Sequence, residues 1–176
     1  PNIKLALGKI YKRADRYVQK IVIPSKKEIK NILLWRSSDI NEIEELTAKE
    51  GNWIILIKAA TNVLKGDNFV FVYPELLENR TIVRRGEVIT SEIFVKKDLN
   101  IGNINLKINT LLKKTRDEIK SRGSIVKEIT TKADFVEKIR DSIKINQNNK
   151  YLIEVESLRD SKTAESIIVD FNVTRL

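Results

Sequence analysis

The sequence YLIEVESLRDSKTAESIIVDFNV, residues 151–173, carries the clearest β pattern in the chain. Apolar Tyr151, Ile153 and Val155 alternate with other side chains in its first part, and the alternation returns from Ile167 onward. Because successive residues of a strand point to opposite faces of a sheet, each part predicts a strand with one buried face. The connector between the two parts is short and polar, so we predict an antiparallel β-hairpin near the C-terminus.

Further strands and helices alternate upstream of this hairpin. Strands are predicted at residues 53–57, 69–73, 81–84, 87–97, 104–108 and 125–130, and a helix running to residue 64 is the alternative for the first of them. Helices are predicted at residues 25–36, 39–51, 110–122 and 131–143. Pro74 is expected to end its strand, and the strands on either side of Arg85-Gly86 are expected to pair as a hairpin. The pattern predicts an α+β fold with mixed helices and mostly antiparallel strands.

Residues 3–21 have the period of an amphipathic helix, which Pro24 ends. Its apolar positions are Ile3, Leu7, Ile10, Tyr11, Ala14, Tyr17, Val18 and Ile21, and its cations are Lys4, Lys9, Lys12, Arg13, Arg16 and Lys20. Offsets of three and four residues place the apolar set on one helix face. We predict a basic helical arm at residues 1–24 and two α+β lobes at 25–98 and 99–176, with one continuous domain as the alternative.

Positive charge is concentrated at the start of the chain. Residues 1–30 contain nine lysines and arginines and two acids, so they carry +7 of the formal net charge of +9. Such a localised excess fits a surface that meets phosphate, an anionic membrane or an acidic protein. The alternative is a helix that packs its apolar face on the body of the protein and leaves its lysines in solvent.

The composition excludes several classes of chemistry. The chain has no Cys and no His, which rules out disulfides, thiolate or histidine catalysis, and metal sites that need these ligands. No GxGxxG or GxxxxGK[ST] motif is present, and we expect no cofactor. No apolar run reaches the ~20 residues of a membrane-spanning helix. We therefore expect a protein that stays in the cytoplasm or enters a particle assembled there.

Two features could support an enzyme. Pro1, as an N-terminal secondary amine, could act as a base, and Pro1-Asn2-Ile3 resembles the start of the tautomerase superfamily, which implies a proline base and an immediate β-strand. The helical period at residues 3–21 departs from that pattern. Glu154 and Glu156 point the same way on a predicted strand and could share acid–base work, although they fall on its expected solvent face. We expect no catalytic activity.

The leading functional hypothesis is a non-catalytic structural or adaptor subunit of a larger protein assembly. Small structural proteins of phages and other viruses fit this description, and the protein would form an oligomer or a hetero-assembly. The apolar stripe of the arm would dock on a partner through Leu7, Ile10, Tyr11, Tyr17 and Val18.

Nucleic-acid binding through residues 1–30 is the alternative hypothesis. Cations that could contact phosphate or an acidic partner are Lys4, Lys9, Lys12, Arg13, Arg16 and Lys20 in the arm, with Arg84 and Arg85 at the predicted hairpin tip.

Overall fold

Helices and strands are interleaved along the chain in an α+β arrangement. The computed structural model describes residues 3–22, 31–48, 50–95, 101–132, 134–144 and 150–176. Contacts divide the chain into two compact units, Pro1–Glu78 and Asn79–Leu176. This division falls at residue 78, whereas the sequence boundary was predicted at residue 98.

The first unit contains two helices and three strands among its described residues. These are α1 (Ile3–Val22), β1 (Leu33–Leu34), α2 (Ser37–Thr47), β2 (Trp53–Ala59) and β3 (Val70–Glu78). The strand order is β1-β3-β2, with β1 parallel and β2 antiparallel to β3. Its buried core consists of Val22, Ile32, Leu33, Val70 and Val72. The helix predicted at residues 3–21 and the strand at 53–57 are thus confirmed.

The prediction of a helix across residues 25–36 is wrong where the structure describes it. Leu33 and Leu34 pair with Val70 and Phe71 as a short parallel strand. Burial of Ile32 and Leu33 in the core, together with hydrogen bonds to their backbone, outweighs the local helical period. The predicted capping box at residues 25–28 lies outside the described residues.

The prediction that Pro74 ends its strand is also wrong, because β3 continues through Pro74 to Glu78. The Ala60 N–H donates to the Phe71 carbonyl at 2.8 Å, so these two residues form a hydrogen-bonded pair. Pairs alternate in an antiparallel ladder, which makes Ile57–Pro74 a pair without backbone hydrogen bonds. The missing N–H of proline therefore costs the β2–β3 ladder nothing.

The second unit contains two helices and six strands among its described residues. These are β4 (Thr81–Val83), β5 (Val88–Phe94), α3 (Ile101–Ser121), β6 (Ile129–Thr131), α4 (Phe135–Lys144), β7 (Tyr151–Ser157), β8 (Ser161–Lys162) and β9 (Ile167–Arg175). One sheet has the order β5-β7-β9-β6 and the other pairs β4 with β8. The core includes Phe94 from β5, Ile108 from α3, Phe135 from α4 and Ile153 from β7. The predicted antiparallel pairing of the two C-terminal strands is confirmed, from Tyr151–Arg175 to Ser157–Val169.

The hairpin predicted around Arg85-Gly86 is wrong. Strand β4 pairs with β8, and β5 pairs with β7. The turn between β4 and β5 is instead stabilised by hydrogen bonds to residues 157 and 160. The Gly86 N–H donates to the Ser157 carbonyl at 2.7 Å, and the Arg85 N–H donates to Asp160 Oδ1 at 2.8 Å. Gly86 has a φ of 75°, a conformation that glycine adopts without strain.

The strand predicted at residues 104–108 is instead the first part of α3. Ile104, Ile108 and Leu111 are buried, whereas Leu106 is exposed. Spacings of four and three residues belong to one helix face, and the alternation with polar residues was a coincidence of that spacing. The strand predicted at 125–130 is limited to Ile129–Thr131.

Candidate docking groove

The inner face of α1 packs on the core of its own unit. Leu7 is only 3% exposed, and Tyr11, Ala14 and Val18 pack against the core cluster. The Tyr11 hydroxyl donates a hydrogen bond to the Leu33 carbonyl, and its ring meets Trp35 edge-on at 5.5 Å. Burial, with the nearby Asp15 carboxylate, raises the pKa of Tyr11 above its ordinary value, which keeps the hydroxyl protonated as a donor.

Asp15 holds α1 against β1. Its Oδ1 accepts hydrogen bonds from the backbone N–H groups of Ile32 and Leu33, each at 2.9 Å, and its Oδ2 accepts one from Gln19 at 2.7 Å. The carboxylate is buried, and hydrogen bonds to a charged acceptor are among the stronger ones in proteins. These hydrogen bonds fix the orientation of α1 relative to β1.

A groove of about 970 Å³ lies between α1 and β2. Its lining residues are Lys9, Ile10, Lys12, Arg13, Ala14, Arg16, Tyr17, Lys20, Ile55 and Ile57. The helix side supplies five cations and an aromatic side chain, Tyr17, which is 68% exposed. The strand side supplies an apolar surface of two isoleucines. We call this feature the basic groove.

The cations of the basic groove are not neutralised within the part of the chain that the structure describes. No described carboxylate forms an ion pair with Lys9, Lys12, Arg13, Arg16 or Lys20. Several of these cations are three or four residues apart, where like charges on a helix repel by about 0.2–0.5 kcal/mol per pair. The helix therefore tolerates a repulsion that a bound anionic group would relieve.

The strand side of the basic groove is an unpaired sheet edge. Strand β2 pairs only with β3 among the described residues. None of its residues is buried, and the five apolar residues Trp53 to Ile57 are all half-buried. An apolar edge strand of this kind is a common site for pairing with another chain.

The five predicted docking residues divide into two groups. Leu7, Tyr11 and Val18 contact the core of their own unit, whereas Ile10 and Tyr17 line the basic groove. A regular apolar period does not distinguish these two outcomes, because both groups lie on the same broad face of the helix. Ile55 and Ile57 of β2 were not predicted from the sequence as site residues. The signal that could have identified them is the run of uncharged, apolar residues from Trp53 to Ile57.

The cations predicted to contact phosphate or an acidic partner lie in different parts of the structure. Five of the six in the arm line the basic groove, while Lys4 pairs with Glu44 of α2 at 3.6 Å. Arg84 and Arg85 lie in the β4–β5 turn of the second unit, with exposed side chains. Glu87 holds that turn through the Arg84 N–H at 2.9 Å and an ion pair with Arg122, and these contacts lower the pKa of its carboxyl.

Of the two proposed catalytic features, only the Glu154–Glu156 pair falls within the described residues. Glu154 and Glu156 are half-buried on β7, opposite Asn172 and Asp170 of β9. No group of three or more Asp, Glu, His or Cys able to hold a metal occurs among the described residues. Pro1 lies outside them.

Comparisons with known proteins found no match to the chain. No model of a protein family matches the chain, and neither a curated protein nor a solved structure matches it. None of the described helices combines the length and apolarity needed to cross a membrane. Function is therefore inferred from the geometry and charge of the basic groove.

Proposed function

We propose that this protein is a non-catalytic subunit of a larger protein assembly, and that it binds an acidic partner protein in the basic groove. The observation that carries the proposal is the set of cations beside an apolar floor, none of them paired with a described carboxylate. Cations arranged in this way attract an acidic partner and set its orientation. Apolar side chains beside them supply the burial that stabilises a docked protein.

The inward packing of α1 changes the predicted mode of docking. Leu7 is buried, and Tyr11 and Val18 pack against the core cluster of their own unit, so we do not place the partner on these three residues. Ile10 and Tyr17 remain at the groove with the cations. The docking surface is therefore the side of α1 that faces β2.

Nucleic acid is the competing ligand for the same cations. Its phosphates would engage Lys9, Arg13 and Lys20, but Ile55 and Ile57 offer neither a stacking surface nor hydrogen-bonding side chains for bases. Among the described residues that line the groove, only Tyr17 is aromatic. Its composition fits an amphipathic acidic protein segment better than a polynucleotide.

Binding of two labelled probes to the full chain tests the proposal. Fluorescence anisotropy would compare a glutamate-rich peptide containing apolar residues with duplex and single-stranded DNA, at low and at physiological ionic strength. We expect the peptide to bind at physiological salt because apolar burial is less screened than charge. DNA binding should fall steeply with salt and be lost there. Tight DNA binding at physiological salt, with no peptide binding, would contradict the proposal.

A triple variant identifies the groove as the binding site. Arg13→Gln/Arg16→Gln/Lys20→Gln removes three groove cations, whereas the matched control Lys113→Gln/Arg116→Gln/Lys120→Gln removes three exposed cations from α3. Both variants lower the net charge equally. We expect peptide affinity to fall at least about tenfold in the first, since each lost charge contact contributes roughly 0.5–1 kcal/mol. An equal loss in both variants would assign the binding to net charge alone.

A further inference from the structure

We infer that the partner enters the basic groove as an extended segment that adds a strand to the edge of β2 at Ile55 and Ile57. This inference rests on the proposed function and specifies the partner: a segment in which acidic residues alternate with apolar ones. The acidic side chains would lie beneath the cations of α1. Three observations carry it: the hydrogen-bonding phase of β2, its uninterrupted apolar edge, and the side on which the cations lie.

The phase of the ladder determines which backbone groups of β2 face outward. The Ala60–Phe71 pair is hydrogen-bonded, and the register continues without a shift through Ile57–Pro74 to Trp53–Glu78. In an antiparallel pair, hydrogen-bonded and non-hydrogen-bonded positions alternate. Leu56 therefore bonds to β3, whereas the N–H and C=O groups of Ile55 and Ile57 point away from it.

The outer side of β2 lacks the features that usually protect an edge strand. Proteins place charged residues, proline or bulges there to prevent pairing with another chain. Between Trp53 and Ile57 the described strand has no charge, no proline and no register shift. Lys58 follows this run, but its ammonium group pairs with Glu75 of β3. The edge is thus suited to accept a strand.

The cations define the chemistry of the added strand. Ile55 and Ile57 point to the side of the sheet where α1 lies, because both line the basic groove with its cations. Side chains alternate along the added strand, so every second residue would project to that same side. Acidic residues at these positions would meet Arg13, Arg16 and Lys20. Apolar residues between them would lie beside Ile54 and Leu56 on the other side of the sheet.

Backbone methylation distinguishes strand addition from attraction between charges alone. The probe is a peptide alternating glutamate and valine, and its control is the same peptide with alternate amides N-methylated, which leaves every charge in place. A strand added at β2 needs these amides as donors. We expect N-methylation at the edge-facing amides to weaken binding to the full chain by about tenfold or more, because several backbone hydrogen bonds are lost. Methylation of the outward-facing amides should have a smaller effect.

A proline scan of β2 supplies the complementary test. In Ile55→Pro the edge loses an outward N–H while the bonds to β3 remain, so folding is preserved and peptide binding falls. Leu56→Pro removes a bond to β3 and should lower stability instead. Thermal unfolding by circular dichroism checks the fold of each variant, and the methylated peptides give the same answer on the unmodified protein.

The outcomes separate the two proposals. Peptide binding that depends on the α1 cations but not on methylation or Ile55→Pro would overturn strand addition and leave the acidic-partner proposal intact. Failure of every acidic peptide to bind would overturn both. Preferential binding of DNA in the same groove would identify nucleic acid as the occupant and would also overturn both.

Discussion

The main sheets of the two units differ in how completely they are covered. In the second unit, Tyr151, Ile153 and Val155 of β7 are all buried, and β7 lies between β5 and β9. In the first unit, β2 has no buried residue and, among the residues that the structure describes, pairs with β3 alone. Because burial of apolar side chains is the main stabilising term in folding, β7 is stabilised within its own unit. Strand β2 keeps half-buried apolar side chains, among them Ile55 and Ile57 at the basic groove.

The largest expected effect comes from the same substitution made in both sheets. Ile153→Ala should lower the free energy of unfolding by about 2–5 kcal/mol, because it removes a fully buried side chain and leaves a cavity. Ile55→Ala should cost less than about 1.5 kcal/mol, since its side chain is only half-buried. Urea unfolding followed by far-ultraviolet circular dichroism measures both. Equal losses would mean that β2 is as completely covered as β7.

Asp15 provides the next largest effect, confined to the first unit. Asp15→Ala leaves the N–H groups of Ile32 and Leu33 without their acceptor, and should cost about 2–4 kcal/mol. Asp15→Asn keeps an acceptor oxygen and should cost less. Trp35 and Trp53 both belong to the first unit, so their fluorescence reports its unfolding. If Asp15→Asn lowered the free energy of unfolding as much as Asp15→Ala, the charge of Asp15 and not its hydrogen bonding would stabilise the contact with Ile32 and Leu33.

Acid stability should depend on Glu87 in the second unit. The Arg84 N–H, and after it Arg122, lowers the pKa of this carboxyl in the folded protein below its ordinary value of 4.5. The unfolded chain then binds the proton more tightly, so this stabilisation is present above about pH 4.5 and is lost as pH falls through the folded pKa.

The test is the pH dependence of unfolding for Glu87→Gln. We expect the free energy of unfolding of this variant to be lower by less than about 1 kcal/mol at neutral pH, because the Glu87–Arg122 ion pair is partly exposed. Its stability should also fall less on acidification than that of the unmodified protein. An unchanged acid profile would mean that the Glu87 contacts do not persist in solution.

The smallest predicted effect is a gain in stability within the basic groove. Arg16→Gln relieves repulsion with Lys12 and Lys20, each four residues away, and should stabilise the first unit by about 0.2–0.5 kcal/mol for each pair. The same variant should bind the acidic peptide more weakly. Lys114→Gln is the control, because it removes the ion pair with Glu92 and should not stabilise. Loss of stability in Arg16→Gln would indicate that this arginine has a structural contact.

Long, regular patterns were the parts of the fold that the sequence predicted well. The apolar period of α1 and the alternation of β7 and β9 each extend over several repeats, so local preference and tertiary packing agree. Residues 104–108 were predicted as a strand because the spacing of four between Ile104 and Ile108 fits both a helix and a strand. The apolar Leu106 between them made the strand period look complete. A wider window including Leu111 distinguishes the two.

Other features depend on contacts that no local pattern contains. Strand β1 is stabilised by Asp15, which lies seventeen positions before Ile32 and accepts the backbone N–H groups of Ile32 and Leu33. Pro74 is tolerated in β3 because it lies opposite Ile57 at a position without backbone hydrogen bonds to β2. This position follows from the strand register, which the sequence does not contain. For the candidate site, the cations were predicted, but their placement beside an uncovered strand edge was not, because it depends on which face of α1 packs inward.

The short strand β1 also has a consequence for the order of folding. Its backbone is bonded on one side by Asp15 and on the other by the Val70 N–H, which donates to the Ile32 carbonyl at 2.8 Å. Pairing of β1 with β3 joins Leu33 to Val70 and closes a larger loop than the β2–β3 hairpin does. We therefore expect the hairpin to form before β1 joins the sheet, so that completion of the first sheet waits for the segment around Ile32 and Leu33.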